Sequence, residues 1–275
     1  MPTKQEWNTY SEILRRHLPG ARHEQEVLVQ KLQELVRPGI TWLDAGCGHS
    51  LVPAWLKGGR QIEEIFLDRA GLLVGCDVDA ISLGTPSRIR RIACNLEQLA
   101  FRSETFDLVS ANMVVEHLEN PGRVFAEIYR VLKPGGVAIF LTPNLYHWTT
   151  VASRLTPYWF HRWLVKRFEG REEEDVFPTR YRCNTARAFR TLLGAAGLAN
   201  VEVDLVVCLP RLVRFPLLLR LECLLYRMTE KVPALREVLC VAAQKPAACD
   251  SMESVKRPAY EGKEQEEHRC TRESP

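Results

Sequence analysis

The residues of this sequence best suited to chemistry lie in the stretch Trp42–Gly48, WLDAGCG. An apolar run typical of a buried strand ends there in a carboxylate, Asp44, and two glycines one residue apart. Glycine has no Cβ, so the backbone can bend sharply and a ligand can approach it closely. In open α/β sheets such a turn binds nucleotide-like cofactors. The dinucleotide fingerprint needs a third glycine at position 51, where this chain has Leu51.

A second carboxylate, Asp77, ends the next predicted strand. A carboxylate at this place can accept hydrogen bonds from both hydroxyls of a ribose, and the neighbouring Val78 can pack on an adenine face. The alternative is that Asp77 only caps a helix. A third polar residue, Asn95, ends the strand after that.

Helices and short apolar strands alternate along the chain and must position these groups. We predict helices over residues 5–18, 23–37, 51–69, 121–132, 186–196 and 215–230. We predict strands over residues 40–44, 72–77, 90–95, 106–112, 137–142, 201–207 and 238–243. The alternation predicts an α/β, Rossmann-like fold: a seven-stranded, mostly parallel sheet with helices on both faces. The helix predicted to follow the glycine turn would turn its N-terminus toward a bound anion.

In their order, these motifs resemble those of the class I S-adenosylmethionine (SAM) dependent methyltransferases of the small-molecule type. The resemblance spans about residues 40–143 and rests on WLDAGCG, on Asp77, on the run CNLEQLAF from Cys94, and on FDLV, VEHL and LKPGG further along. It implies SAM as cofactor, with Asp44 and Gly46 against its amino-acid half and with Asn95 and Leu96 near its adenine. The implied cofactor-binding set is Asp44, Ala45, Gly46, Cys47, Gly48, Asp77, Val78, Asn95, Leu96 and Asn112.

The sequence departs from the family pattern at three places. Ser50 stands where the family often has a third glycine, and Asn95 stands where it has an acid whose role an amide carbonyl can still fill. The interval from Asp44 to Asp77 is long for the family, and we assign the extra residues to 57–70. These departures keep open a non-catalytic methyltransferase-fold subunit that binds or regulates. A nucleotide-dependent oxidoreductase is disfavoured by Leu51.

His117 is the candidate catalytic residue. Histidine titrates near neutral pH and can act as a general base, and the alternative is a structural or pocket-wall role. Methyl transfer from a sulfonium can proceed by positioning and desolvation without a base. Some quinone-biosynthesis relatives bind a divalent metal through a Glu three residues before the Glu-His pair. Met113 stands there, so we expect no metal.

The methyl acceptor is expected under a helical cap inserted at about residues 144–184. Its aromatic residues can line an apolar pocket or form a packing core, and both interpretations stay open. The candidate acceptor-binding residues are His117, Trp159, Tyr181 and Arg182. The apolar helix predicted at 215–230, with arginines from position 211 onward, is either an interfacial helix at a membrane or a surface buried against the domain or a homodimer partner.

Composition bounds the remaining classes. The chain has 275 residues, a net charge of +3 and nine cysteines without metal-site or redox spacing. A charge this small gives no reason to expect nucleic acid, and the cysteines indicate a reducing compartment. We expect a cytoplasmic protein, with no signal peptide in the sequence given and no spanning helix, and with peripheral membrane contact left open. Residues 1–245 are expected to form one methyltransferase domain, and 246–275 a disordered tail.

Overall fold

A computed structural model describes residues 21–78, 88–155, 178–210 and 216–247, together with Tyr10, residues 12–14 and residues 16–19. Seven strands lie in one sheet within these ranges. They are β1 (Thr41–Ala45), β2 (Leu72–Asp77), β3 (Arg90–Ala93), β4 (Phe106–Asn112), β5 (Leu132–Pro143), β6 (Ala199–Val206) and β7 (Val238–Gln244). Their order is β3-β2-β1-β4-β5-β7-β6. Only β7 runs antiparallel to its neighbours, so the predicted mostly parallel sheet is confirmed.

Helices cover both faces of this sheet, as predicted. They are α1 (Glu24–Leu35), α2 (Gly59–Arg69), α3 (Pro121–Val131), α4 (Trp148–Leu155), α5 (Ala186–Ala195) and α6 (Pro216–Glu230). On one face α3 and α5 pack through Phe125 and Phe189 onto Phe140 of β5. On the other face, α1 and α2 pack onto the sheet, where Phe66 meets the edge of Trp42 at 5.6 Å between ring centroids.

The burial of the strands follows from this sandwich. β1 and β4 are central, and all of their residues except Thr41, Asp107 and Asn112 are buried, as in parallel sheets covered on both faces. The edge strand β6 instead alternates between half-buried and exposed residues. Because β1, β2 and β4 run parallel, their C-terminal ends lie at one edge of the sheet. The predicted cofactor residues that follow these strands lie at that edge.

The prediction of a helix directly behind the glycine turn is wrong. Residues 49–58 form irregular turns, and α2 begins only at Gly59. Pro53 and the left-handed Gly58, at φ 74°, separate the turn from the helix. α2 therefore gives the turn no helix N-terminus, and the assignment of the extra residues to 57–70 stays a prediction.

Other element boundaries shift in ways that the packing explains. β5 begins at Leu132, directly after α3, instead of at residue 137. Its register with β4 shifts between Phe106 and Leu108. The residues Lys133–Gly136, predicted to separate α3 from β5, therefore form an irregularity within the strand. α4 is a helix of the predicted cap, most of which lies outside the described residues. The described residues of the predicted first helix are helical except Leu18, and Tyr10, Ile13 and Leu18 pack against α6.

Candidate active site

The glycine turn closes on the neighbouring strand. The amides of Gly46 and Cys47 both donate to the carbonyl oxygen of Cys76, at 2.7 and 3.1 Å. Gly46 and Gly48 have left-handed backbones, with φ of 75° and 47°. A Cβ on Gly46 would collide with the side chain of Val114, whereas one on Gly48 would meet open space. The first position therefore requires glycine by packing as well as by backbone conformation.

Asp77 joins the second motif to the first. Its carboxylate oxygen Oδ2 accepts a hydrogen bond of 2.9 Å from the Gly48 amide. Asp77 is half-buried at the end of β2, and the adjacent Val78 side chain is 68% exposed. A carboxylate beside an exposed apolar side chain matches what the sequence predicted for ribose and adenine. The structure brings these residues together, and their binding role stays a prediction.

Asp44 is a buried carboxylate beneath the turn. Its Oδ1 accepts from the Ser110 hydroxyl at 2.6 Å, and that hydroxyl in turn accepts from the Trp42 indole at 2.8 Å. Burial raises the pKa of the Asp44 carboxyl to about 6, against the opposing effect of the Ser110 hydrogen bond. A cationic ligand group beside Asp44 would lower that pKa again, because an opposite charge favours the ionised carboxylate.

The other predicted cofactor residues differ in how they are held. Asn95 is exposed, and its Oδ1 accepts from the Glu97 amide at 2.9 Å, so part of its acceptor capacity is used locally. Leu96 is buried. Asn112, at the end of β4, exchanges two amide hydrogen bonds with Gln25 of α1, at 3.1 and 2.8 Å. Asn112 thus ties α1 to the site edge.

Three thiols lie beneath this edge. Cys47 and Cys76 are buried, as expected for small apolar residues, and Cys94 is half-buried. A hydrogen bond between the thiols of Cys76 and Cys94 lowers the pKa of Cys94 and raises that of Cys76. A Cβ on Gly75 would come within 2.7 Å of the Cys47 sulfur, so Cys47 packs tightly against β2.

His117 ends a 3-10 turn, Val115–His117, that follows β4. Its Nδ1 lies 3.0 Å from the carbonyl oxygen of Pro178. A carbonyl only accepts, so Nδ1 carries the proton in the neutral ring and Nε2 carries the lone pair. The ring is 30% exposed, and Nε2 lies 4.0 Å from the carboxylate of Glu116. This tautomer suits a proton acceptor at Nε2.

A buried polar network supports the turn that carries His117. The Thr142 hydroxyl donates to Glu116 Oε2 at 2.8 Å and accepts from Asn184 Nδ2 at 2.7 Å. All three residues are at least 96% buried. Asn184 Oδ1 is buried and has no hydrogen-bond partner among the described residues. The network fixes the end of β5 to the turn and to the start of the segment before α5.

The segment of residues 178–182 lies over this turn. The amides of Arg180 and Tyr181 donate to the Glu116 carbonyl at 2.6 and 3.0 Å, and Arg182 Nη1 donates to the Glu119 carbonyl at 2.7 Å. Tyr181 has a left-handed φ of 51°. The structure therefore brings His117, Tyr181 and Arg182 into one region. Trp159, the fourth predicted acceptor residue, lies outside the described residues.

Two aromatic residues of the predicted cap serve packing. His147 and Trp148 contact each other, and His147 meets the edge of Tyr226 of α6 at 5.4 Å between ring centroids. Tyr146, by contrast, is more than half exposed. A separate cleft of about 390 Å³ lies between α1 and β6, beside Lys31 and Arg236 and away from the motif residues.

The comparisons with known proteins fall on this same part of the chain. A protein-family model described as a methyltransferase domain matches residues 21–203, well over half of the chain. The chain belongs to this family. It therefore contains a methyltransferase domain, and its α/β fold is the one found in a solved SAM-dependent methyltransferase.

Individual relatives of this methyltransferase are distant. A malonyl-acyl-carrier protein O-methyltransferase of Pseudescherichia vulneris is 29% identical over 50% of this chain and 55% of its own length. A ubiquinone/menaquinone biosynthesis C-methyltransferase of Brucella abortus is 31% identical over 40% of this chain and 42% of its own. The chain thus spans about half the length of these curated relatives.

Two solved structures share the methyltransferase fold. One comes from a Haloferax volcanii methyltransferase complex with its activator: TM-score 0.53, 19% identity, covering 90% of this chain and 99% of that one. The other is a SAM-dependent methyltransferase from Mesorhizobium loti: TM-score 0.51, 19% identity, covering 82% and 99%.

The residues present in this methyltransferase fit SAM. Gly48 borders open space that a Cβ would enter, Asp77 offers a carboxylate at the rim, and the buried Asp44 favours a cationic neighbour. Sequence reasoning missed the residues that support this set: Gln25, Ser110, Val114, Thr142 and Asn184. A serine inside the apolar strand β4 was a usable signal for Ser110, whereas nothing local marked Gln25.

Proposed function

We propose that this chain transfers a methyl group from SAM to an oxygen, nitrogen or carbon atom of a small-molecule or lipid-like acceptor. The observation that carries the proposal is the hydrogen bond from Gly48 to Asp77, which joins the glycine turn and the second acid into one site. The family assignment of residues 21–203 supports it.

The chain's own residues have three tasks in this reaction. Asp77 and the turn Gly46–Gly48 hold the cofactor, which when bound supplies a methyl group already activated on a sulfonium. The segment of residues 178–182 and the turn at His117 orient the acceptor and limit water, which accounts for much of the rate in reactions of this kind. Where the acceptor atom must lose a proton, His117 Nε2 takes it.

The acceptor class rests on the relatives and on the site edge. The curated relatives are named for a malonyl-acyl-carrier protein and for ubiquinone and menaquinone biosynthesis. Arg180 and Arg182, both exposed beside the 3-10 turn, suit an acceptor with an anionic group. Their own contacts to Glu119 moderate that preference.

Calorimetric titration with SAM, and separately with NAD, tests the proposal first. We expect SAM and its demethylated product to bind in the micromolar range and NAD not to bind. Incubation of the protein and isotope-labelled SAM with fractionated cell extract then identifies the labelled product. Binding of NAD without SAM would refute the proposal. Binding of SAM with no labelled product in polar, protein or lipid fractions would favour the non-catalytic subunit.

A further inference from the structure

Helix α6 presents an apolar stripe to solvent. Leu217, Leu221, Leu224 and Met228 follow one another at intervals of four, three and four residues, so they lie on one face of the helix. They are 78, 62, 53 and 64% exposed. Leu218, at 45%, widens the stripe on one side. Contiguous exposed apolar surface of this kind marks an interaction site in soluble proteins.

The opposite face of the same helix is already docked. Leu219, Cys223 and Tyr226 are buried in a cluster with Tyr10 and Ile13. The Tyr226 hydroxyl donates to the Glu237 carboxylate at 2.6 Å, which fixes the rotation of the helix. The stripe therefore faces outward because the other side of α6 is held, and rotation of the helix cannot bury it.

The charges beside the stripe have one sign. Arg220 and Arg227 are exposed and seven residues apart, so they lie along the same flank. The acids of the described helix are Glu222, which is buried on the docked face, and Glu230, at its last position. An apolar stripe with arginines along its edge is the pattern of helices that lie in the headgroup region of an anionic bilayer.

We propose that α6 is a membrane-docking surface that binds anionic phospholipid bilayers, with the stripe in the acyl boundary and both arginines on lipid phosphates. A second copy of this chain fits less well, because pairing two stripes brings four arginines together while α6 supplies only the terminal Glu230. None of the described helices is long and apolar enough to cross a membrane. The inference stands apart from the proposed function, because vesicle binding needs no methyl transfer.

Co-sedimentation of the full chain with extruded vesicles tests the proposal. We expect binding to mixed phosphatidylcholine and phosphatidylglycerol vesicles, at least about tenfold weaker binding to phosphatidylcholine alone, and weakening as salt rises. Equal binding to both vesicle types, or no binding to either, would overturn the proposal.

Matched variants locate the surface. The double variant Leu221→Gln/Leu224→Gln and the double variant Arg220→Gln/Arg227→Gln should each lower vesicle affinity about tenfold or more. Ile65→Gln, an exposed apolar residue of α2, is the control and should leave it unchanged. Thermal melting and SAM titration check that each variant is folded, and the arginine pair keeps the test decisive if the leucine pair fails to fold.

Analytical ultracentrifugation over a range of concentrations tests the competing occupant. A monomer that binds vesicles supports the proposal. A dimer that the leucine pair dissociates, with no vesicle binding by either form, would assign the stripe to a second copy instead.

Discussion

If Asp44 binds the cofactor as predicted, this buried carboxylate trades stability for binding. Its folded pKa of about 6 lies above the ordinary value of 3.8, so the folded protein holds this proton more tightly than the unfolded chain does. The resulting stabilisation is full below pH 3.8 and is lost as pH rises through 6. At neutral pH Asp44 is ionised although its burial disfavours the charge. This is expected of a carboxylate that meets a cationic ligand.

The Asp44→Asn variant tests this trade. Between pH 4 and pH 7 the unfolding free energy of the wild type should fall relative to that of the variant by about 2 kcal/mol. SAM affinity at pH 7 should drop at least tenfold in the variant, because the charge is gone. Urea unfolding at several pH values and calorimetric titration measure the two effects. A variant that binds SAM like the wild type removes Asp44 from the cofactor site.

Asp77 is predicted to bind the cofactor directly. The Asp77→Ala variant should weaken SAM binding by at least about tenfold, because hydrogen bonds to a charged acceptor contribute roughly 1.5–3 kcal/mol each. The Asp77→Asn variant is the matched control, since its amide oxygen can still accept from the Gly48 amide while the charge is lost. Unchanged titration by a folded Asp77→Ala protein would contradict the ribose assignment.

The two glycines of the turn should differ in their tolerance of alanine. Gly48→Ala meets open space and costs only the left-handed backbone penalty, about 1–2 kcal/mol. Gly46→Ala pays that penalty and also strikes Val114. Thermal melting should rank Gly46→Ala below Gly48→Ala, and adding Val114→Ala should restore part of the difference. Equal losses at both positions would show that packing on Val114 is unimportant.

At the scale of elements, the spacing of apolar residues and the residues that end each run predicted the strands well. β2 and β4 have the predicted bounds, because their apolar runs are central and end in polar residues at the sheet edge. The start of α2 could not be predicted in this way. Leu51, Val52 and Leu56 are apolar and buried, but they belong to an irregular loop rather than to a helix. A local pattern of apolar residues indicates which side chains are buried, and in this loop they are buried without forming a helix.

The supporting shell of the candidate site was also out of reach of local pattern. Gln25 and Asn112 are 87 positions apart, and Glu116 meets Thr142 from 26 positions away. Only the sheet order places these side chains together. The glycine turn and Asp77, by contrast, can be recognised in the sequence, because each depends on a residue type required at a strand end.

The link between β5 and the 3-10 turn can be tested through Thr142. Thr142→Val keeps the shape of the side chain but removes a donor to the buried Glu116 and an acceptor for Asn184. Leaving such groups unsatisfied should cost about 1–3 kcal/mol of unfolding free energy. Thr142→Ser retains the hydroxyl and should recover most of the loss. If Thr142→Val melts like the wild type, the hydroxyl network does not stabilise the link; a loss in Thr142→Ser alone would assign the stabilisation to packing of the methyl group.

At the scale of the whole molecule, we expect cofactor binding and acceptor binding to use different parts of one sheet edge. The ends of β1 and β2 carry most of the predicted cofactor residues, although Asn95 and Leu96 follow β3 and Asn112 ends β4. The turn after β4 and the segment of residues 178–182 carry the described candidate acceptor residues. The described hydrogen bonds of the second group run to Pro178, Glu116 and Glu119. Changes in the second group should therefore alter turnover more than SAM affinity.

Arg182→Ala and His117→Ala test that division. Arg182→Ala should lower turnover while SAM affinity stays within about twofold of the wild type, and Arg190→Ala, an exposed arginine of α5, should change neither. His117→Ala should lower turnover by about 10²-fold and abolish the pH dependence near neutrality if Nε2 accepts a proton from the acceptor. A fall of less than fivefold would leave His117 as a pocket wall, with positioning alone supplying the rate. Loss of SAM binding in a folded Arg182→Ala protein would instead assign the segment of residues 178–182 to the cofactor site, and the two groups would then form a single one.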